Sequence, residues 1–308
     1  DDGSADFHTI QEAINAASPG DTIFVEAGTY YEHVVVDKTL ILVGLDEFNT
    51  IIDGEGTGSV VYVTSNRTSI TGFTMQKSGS ESVSGGNYVN AGIYLNNANY
   101  CNVTKNSITN NCYGIWLDYS SNNSISHNHI TANENFGICL RHSSDNSISG
   151  NSITANRYSG ICLLHSSNNV LRNNEMANNT YNFQISGQEF SHFVNDVDAS
   201  NTVDGKPIYY WVNKQDMTVP LDAGYVTLVN CTNITIQDLN LTHNDSGALL
   251  ACTTNSTITK NSVEKNNYGF SLYESFNNSI FDNNITQSEV VGIAIQYSSS
   301  NRISVSYT

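Results

Sequence analysis

The sequence predicts an all-β fold, a single-stranded parallel β-helix that winds as a solenoid, and three observations carry that reading. An asparagine returns at Asn106, Asn128, Asn151 and Asn174, then at Asn261 and Asn283, each two residues before an apolar one (Ile108, Ile130, Ile153, Met176, Val263, Ile285). A glycine-led motif keeps step with it: Gly92-Ile-Tyr-Leu, Gly114-Ile-Trp-Leu, Gly137-Ile-Cys-Leu, Gly160-Ile-Cys-Leu, Gly269-Phe-Ser-Leu and Gly292-Ile-Ala-Ile. The glycines are 22, 23 and 23 residues apart in the first run and 23 apart in the last pair. Between these markers apolar residues alternate with polar ones, the period of short strands with one inward face. A repeat of this length built from strands means stacked turns, here about 22–23 residues each and roughly ten in number.

The elements follow in order. His8 to Ala17 places Ile10, Ala13, Ile14 and Ala17 on one helical face, with Asp6 as the expected N-cap and Ser18-Pro-Gly-Asp21 as the stop. Strand-like runs follow at Thr22–Val25, His33–Val36, Leu40–Val43 and 50–52, separated by Gly28, Asp37-Lys38, Gly44 and Asp53-Gly54. Residues 1–58 therefore read as an N-terminal cap with the first turns, since a bare terminal turn would expose backbone and core. Regular repeats occupy 59–186. The glycine at each corner is expected to supply backbone angles closed to other residues, and the asparagines to turn inward and stack amide on amide.

Two stretches break the period. Residues 76–91 enlarge one corner, and 187–224 read as a hairpin or extended arm before stacking resumes at Tyr225 and runs through 225–308. Loops that leave a rigid repeat are where function is usually placed. The last residues, Asn301 to Thr308, begin a further repeat with no capping helix, so continuation or a covering molecule is expected there, and with it self-association or contact with a neighbouring protein.

Composition narrows the partners. Charged residues make up 13% of the chain, yet its formal net charge is −17, which leaves no Lys/Arg density to replace phosphate counterions, so nucleic acid is excluded. Polyuronates and anionic lipid are disfavoured unless a divalent cation bridges the like charges; no cofactor is required otherwise. No apolar run is long enough to span a bilayer, no signal peptide is present, and Asp1-Asp2-Gly3-Ser4 has the form of a mature terminus. Sequons at Asn66, Asn102, Asn122, Asn178, Asn230, Asn233, Asn240, Asn244, Asn255, Asn277 and Asn284 join the acidity in pointing to an extracellular or cell-surface location.

The stretch from Thr9-Ile-Gln-Glu-Ala-Ile-Asn-Ala-Ala17, with Gly20-Asp-Thr-Ile-Phe-Val-Glu-Ala-Gly-Thr-Tyr30, resembles the start of pectin-lyase-like right-handed β-helices. The Asn-Asn-Ser-Ile-Ser-x-Asn-x-Ile repeats resemble the NosD-type repeat family, and Ser200 to Asn213 resembles a segment of NosD-like surface proteins of methanogenic archaea. The resemblance covers nearly the whole chain and implies a right-handed helix. It leaves function open, because such folds host lyases, hydrolases, epimerases, adhesins and envelope proteins.

The outward positions after each glycine form a stripe: Tyr94, Trp116, Cys139, Cys162, then Asn96, Asp118, Arg141, Leu164, then the corner residues Asn97, Tyr119, His142, His165. Aromatic faces beside a carboxylate, an arginine and imidazoles are the groups a sugar groove uses. With Tyr209, Tyr210 and Trp211 of the insertion, Tyr94, Trp116 and Tyr119 are the candidate carbohydrate contacts. Asp118, Arg141, His142 and His165 are the candidates for catalysis, with Glu134 a further acid; the bland reading is a solvated face with an ordinary Asp118–Arg141 pair. The loop 76–91 is expected to overhang the start of the stripe, and 187–224 to wall its far end.

Cys139 and Cys162 share a column, about 4.8 Å apart if turns stack as strands. That separation is within disulfide range, though they read first as two small outward residues. Together with His142 and His165 they are the only metal candidates, since thiolate and imidazole suit copper(I) or zinc; nothing forces them to converge. His127 and His129 pair on one strand, and Asp196, Asp198 and Asp204 match no tight cation loop. The reading that emerges is a secreted envelope protein with a structural, assembly or adhesion role against carbohydrate or another envelope polymer. The alternatives are a polysaccharide lyase, hydrolase or epimerase, and a NosD-like copper-binding protein.

Overall fold

The computed structural model describes residues 6–80 and 89–304 and is a right-handed parallel β-helix with one short N-terminal α-helix. The helix runs Ile10–Ala16, capped by Thr9, whose Oγ1 accepts the Glu12 amide at 3.1 Å, rather than by Asp6. The Glu32 carboxylate takes the free amides of Ile10 and Gln11 at 2.9 and 3.0 Å, so the first turn of the solenoid fixes the helix over the core. Gly28, expected as a separator, opens a strand, Gly28–Tyr31, because its alternation with Tyr30 continues the inward face.

Thr22–Val25, Gly28–Tyr31 and Val34–Val36 make one complete turn, and this three-strand unit recurs to Tyr181–Ser186. Like strands stack in parallel into three sheets: A from Thr22–Val25 to Asp196–Val197, B through Thr202–Val203, and C from Val34–Val36 to Tyr181–Ser186. The register puts Ile108, Ile130, Ile153 and Met176 in one inward column and Ile115, Ile138 and Ile161 in another, all fully buried. The chain makes about 12 turns in all, more than the roughly ten expected, because strands of the segment read as an insertion, Asp196–Val197, Thr202–Val203 and Lys206–Val212, belong to the stacks.

The corners explain the repeat. Lys105, His127, Gly150 and Asn173 hold φ of 54, 55, 65 and 53°, and each is followed by an inward asparagine. Asn106, Asn128 and Asn151 donate Nδ2 to the Oδ1 of the next turn at 3.1, 3.0 and 2.9 Å, and Asn174 continues to Asn201 at 2.8 Å. Each Oδ1 also accepts the backbone amide above it, as Asn174 Oδ1 does from Asn151 at 3.1 Å. A second ladder runs Asn111, Asn133, Asn156, Asn179, a third Asn146, Asn169, Asn195, and serines 120, 143 and 166 serve the fourth corner. The pair Asn261–Asn283 repeats the device later, at 2.8 Å.

The glycine column works differently from expectation. Gly92, Gly114, Gly137 and Gly160 do not have positive φ. They are glycines because a Cβ on Gly114 would sit 2.3 Å from the Gly137 carbonyl oxygen and 2.8 Å from the Ile130 side chain.

At residue 204 the winding changes. Asp204 and Gly205 (φ 48 and 78°) make a two-residue turn that pairs Thr202–Val203 antiparallel with Lys206–Val212. Lys206–Val212 is not an arm: it is the first strand of a second parallel stack, joined by Tyr225–Val229, Ser246–Ala251, Tyr268–Tyr273 and Val291–Gln296. Stacking thus resumes at Lys206, ahead of Tyr225. One face of this sheet (Val226, Leu228, Ala248, Leu250, Phe270, Leu272) fills the second core, while Ile208, Tyr210, Tyr225, Val229, Leu249, Ala251 and Tyr273 close the end of the first. Asn151→Ala removes the acceptor for two buried donors of Asn128 and is expected to lower stability by about 2–5 kcal/mol, read by urea unfolding; a change below about 0.5 kcal/mol would show that the ladder is not a stabilising element.

Candidate functional site

The outer face of sheet C carries the stripe, and its columns differ in exposure. Tyr94, Trp116, Cys139 and Cys162 are buried, forming a small apolar cluster separate from the main core. Tyr113, Phe136, Tyr158 and Tyr181 stand over it in a continuous aromatic row, with centroids 5.9, 5.1 and 5.4 Å apart. The rings of Tyr94 and Trp116 expected to be open are therefore covered, and the row that covers them was not singled out in the sequence. Tyr113, Phe136 and Tyr158 precede the glycines by one or two residues, and that recurrence was the available signal. Burial and the nearby Asp118 push the Tyr94 hydroxyl up to about 12, and burial takes Tyr113 to about 12.

In the next column Asp118 is buried and receives both arms of Arg141, Nε to Oδ1 at 2.8 Å and Nη2 to Oδ2 at 2.6 Å. This fork raises the Arg141 pKa and occupies both oxygens of the Asp118 carboxyl group. Glu134 lies on the far side of the turn from this pair, at the corner before Gly137.

The corner column is open. Tyr119, His142 and His165 all hold left-handed backbone, φ 48, 48 and 50°, which turns their rings outward in register. Tyr119 stacks on His142 at 4.9 Å and 13°, and His142 on His165 at 5.1 Å and 9°. His192, from the 3₁₀ turn Phe190–Phe193, ends the row edge-on at 5.1 Å, so the segment after residue 187 does close the far end. Partial burial, His165 and Arg141 lower the pKa of His142, and burial with His165 lowers that of His192. At the near end Val89 packs on the Tyr94 cluster, while residues 81–88 of the enlarged corner lie outside the described residues.

The insertion aromatics divide. Tyr210 is buried with its hydroxyl donated to the Phe193 carbonyl, so it offers no face to a ligand. Tyr209 and Trp211 are half-buried against the second core, Tyr209 donating to Asp222 at 2.9 Å. Among the sequons Asn244 is buried, its Nδ2 donating to Gly224 O at 3.1 Å, and is closed to a glycan; the others are exposed.

The geometry defines the class, a right-handed parallel β-helix with an aromatic outer face. The chain belongs to the family described as Periplasmic copper-binding protein (NosD), which it matches over residues 14–219 and 213–305. A putative pectinesterase/pectinesterase inhibitor of Arabidopsis thaliana is 35% identical over 94 residues, 29% of this chain and 18% of that protein, so the similarity spans less than a fifth of the relative. The A-modules of the mannuronan C-5 epimerases AlgE4 and AlgE6 of Azotobacter vinelandii superpose with TM-scores of 0.54 and 0.51 at 15% identity, over 96% of this chain and 91% and 94% of theirs. The catalytic domain of a GH87 alpha-1,3-glucanase bound to tetrasaccharides gives 0.51 at 15% identity, over 96% of this chain and 64% of that one. At that identity the superpositions establish the fold.

The family description implies copper, and the residues expected to hold it do not fit. Stacked imidazoles direct their in-plane lone pairs alongside one another, so His142 and His165 do not converge on one ion. Cys139 and Cys162 are fully buried, and burial pushes the Cys162 thiol far above its usual range, against the thiolate a metal needs. Among the described residues no three His, Cys, Asp or Glu side chains group to hold a metal. Arg141→Ala would leave Asp118 buried without its partner and is expected to cost about 1–3 kcal/mol, whereas replacing both by leucine restores most of it; equal losses in single and double variants would show that the pair is not coupled.

Proposed function

We propose that this chain is an exported envelope protein that lays the corner row of sheet C on carbohydrate, with a structural or adhesive role. The carrying observation is the open, regular stack Tyr119–His142–His165 ending at His192. Tyr119 is 54% exposed, and the rings repeat at about the spacing of the turns. A row of flat faces in fixed register suits the C–H faces of successive sugar rings, and rigid corners make the contact with little loss of side-chain entropy. Fold relatives whose names specify polysaccharides add support. Periplasmic placement of the family supports export, and among the described residues no helix is long and apolar enough to cross a membrane.

Self-association or contact with neighbouring envelope proteins belongs to the same proposal, and electron microscopy over a concentration series tests it. Ordered filaments or sheets are expected, and a monomer throughout removes that part.

For the glycan contact, Tyr119→Ala and His142→Ala should each weaken binding to immobilised neutral polysaccharides by about 10-fold, measured by affinity electrophoresis with folding checked by circular dichroism. Unchanged mobility shifts in both variants would sink the assignment. Because partial burial and the neighbouring His165 lower the pKa of His142 and His192, these two rings are neutral near pH 7. Acidification charges these rings, and like charges then repel. Binding should therefore weaken as pH falls, and a flat profile would show that the row does not carry it.

A further inference from the structure

The two stacks meet at a joint where Ile208, Tyr210, Tyr225, Leu249 and Tyr273 close the first core, and a few polar groups bond across that contact. Asn182 donates its amide to the His243 carbonyl at 2.6 Å, and Asp245 donates its amide to the Phe183 carbonyl at 3.2 Å. The Tyr181 hydroxyl bonds Glu289, and Tyr273 reaches the Gln188 carbonyl. Grooves flank the joint on two sides. One of about 470 Å3 is lined by Val194, Asp196, Tyr210, Val212 and Lys214, and another of about 290 Å3 by Tyr181, His243, Lys265, Gln287 and Glu289. Space on both sides leaves room for the stacks to tilt.

Asp245 sits in this joint and is only 8% exposed. Its carboxyl accepts one hydrogen bond, from Asn267 Nδ2 at 2.9 Å. Tyr158, Cys162 and Tyr181 face it from the first stack, and Tyr225 from the second. Tyr268 and Glu289 lie in the same cluster, around Tyr158. Every one of these is neutral or acidic. The basic side chains of the groove are turned elsewhere, His243 to Asp204 at 3.4 Å and Lys265 to Glu264 at 3.7 Å.

We propose that the joint is a proton-operated hinge: protonated Asp245 lets the second stack close on Tyr158 and Tyr181, and its ionisation opens that side. A buried carboxylate with a single amide donor is poorly solvated, whereas opening returns it to water. Burial accordingly pushes Asp245 up to about 6. Because the closed form binds the proton more tightly than the open one, closure is fully favoured below about pH 4. That advantage is lost as pH rises through about 6, the opposite sense to an ion-paired carboxylate. The angle between the two stacks would then follow the acidity of the compartment, independently of the carbohydrate reading above.

Amide hydrogen exchange at Asn182 and Asp245, whose N–H groups bond across the joint, tests the hinge from pH 4 to pH 7 after correction for intrinsic rates. Protection in the wild type should fall by up to about 100-fold over that range, and Asp245→Asn should remove the dependence. Protection that does not vary with pH, or that varies equally in Asp245→Asn, overturns the proposal. Should that variant fail to fold, carboxyl carbon-13 titration of the wild-type protein decides: a midpoint near 6 supports the hinge, and one near 4 overturns it.

Discussion

The structure depends on one corner unit, a residue in left-handed backbone followed by an inward side chain that accepts the amide of the turn above. An L-residue in that conformation costs about 1–2 kcal/mol, and among the described residues none of the non-glycine residues that adopt it is Val, Ile or Thr, whose branched Cβ would raise the cost further. What offsets it is the ladder. A sharp corner would otherwise bury unpaired amides, and Asn128, Asn151 and Asn174 satisfy both the backbone and the side chain of their neighbours. The same unit aims the corner side chain outward and repeats it once per turn. The stacked row Tyr119–His142–His165 is therefore a consequence of how the fold turns, with only the choice of ring left to the sequence.

A solenoid built this way has open ends, and here one is closed from within. The helix Ile10–Ala16 covers the first turn. The sheet from Lys206–Val212 to Tyr268–Tyr273 covers the other end by being apolar on both faces, one for each core. The reversal at Asp204-Gly205 makes this arrangement available, because it brings a new parallel stack against the last turn of the old one. Placing a polar residue, Asp245, in such a two-faced contact is expensive unless it is neutral, which is why its protonation and the closure of the joint are linked.

Much of the fold was legible in the residues. The period, the inward columns and the short N-terminal helix follow from spacing alone, since strand and helix periodicities leave different marks. The joint was harder to see. Its signal lay in Tyr225-Val-Thr-Leu-Val229 and Ala248-Leu-Leu-Ala251, continuous apolar runs in a chain of alternating ones, which is how a strand buried on both faces reads. The glycine column was read through backbone angle when close approach decided it. At the candidate face, single-column reasoning placed Asp118 beside Arg141 and His142 beside His165, and it could not show that Tyr113, Phe136 and Tyr158 fold over Trp116. That covering depends on side-chain directions across neighbouring turns, which spacing does not encode.

Charge gives the last constraint on what the open row meets. The chain carries a net charge of −17, and on the face itself Arg141 is committed to Asp118. A partner of high negative charge would meet net repulsion. The imidazoles of His142 and His192, their pKa lowered by partial burial, present dispersion and hydrogen-bonding surface near neutral pH. Those are the interactions that neutral sugar rings answer, by C–H faces against flat rings and hydroxyls against ring nitrogens. The corner geometry that builds the fold and the charge that surrounds it therefore favour the same kind of contact, an extended uncharged polymer lying along the turns.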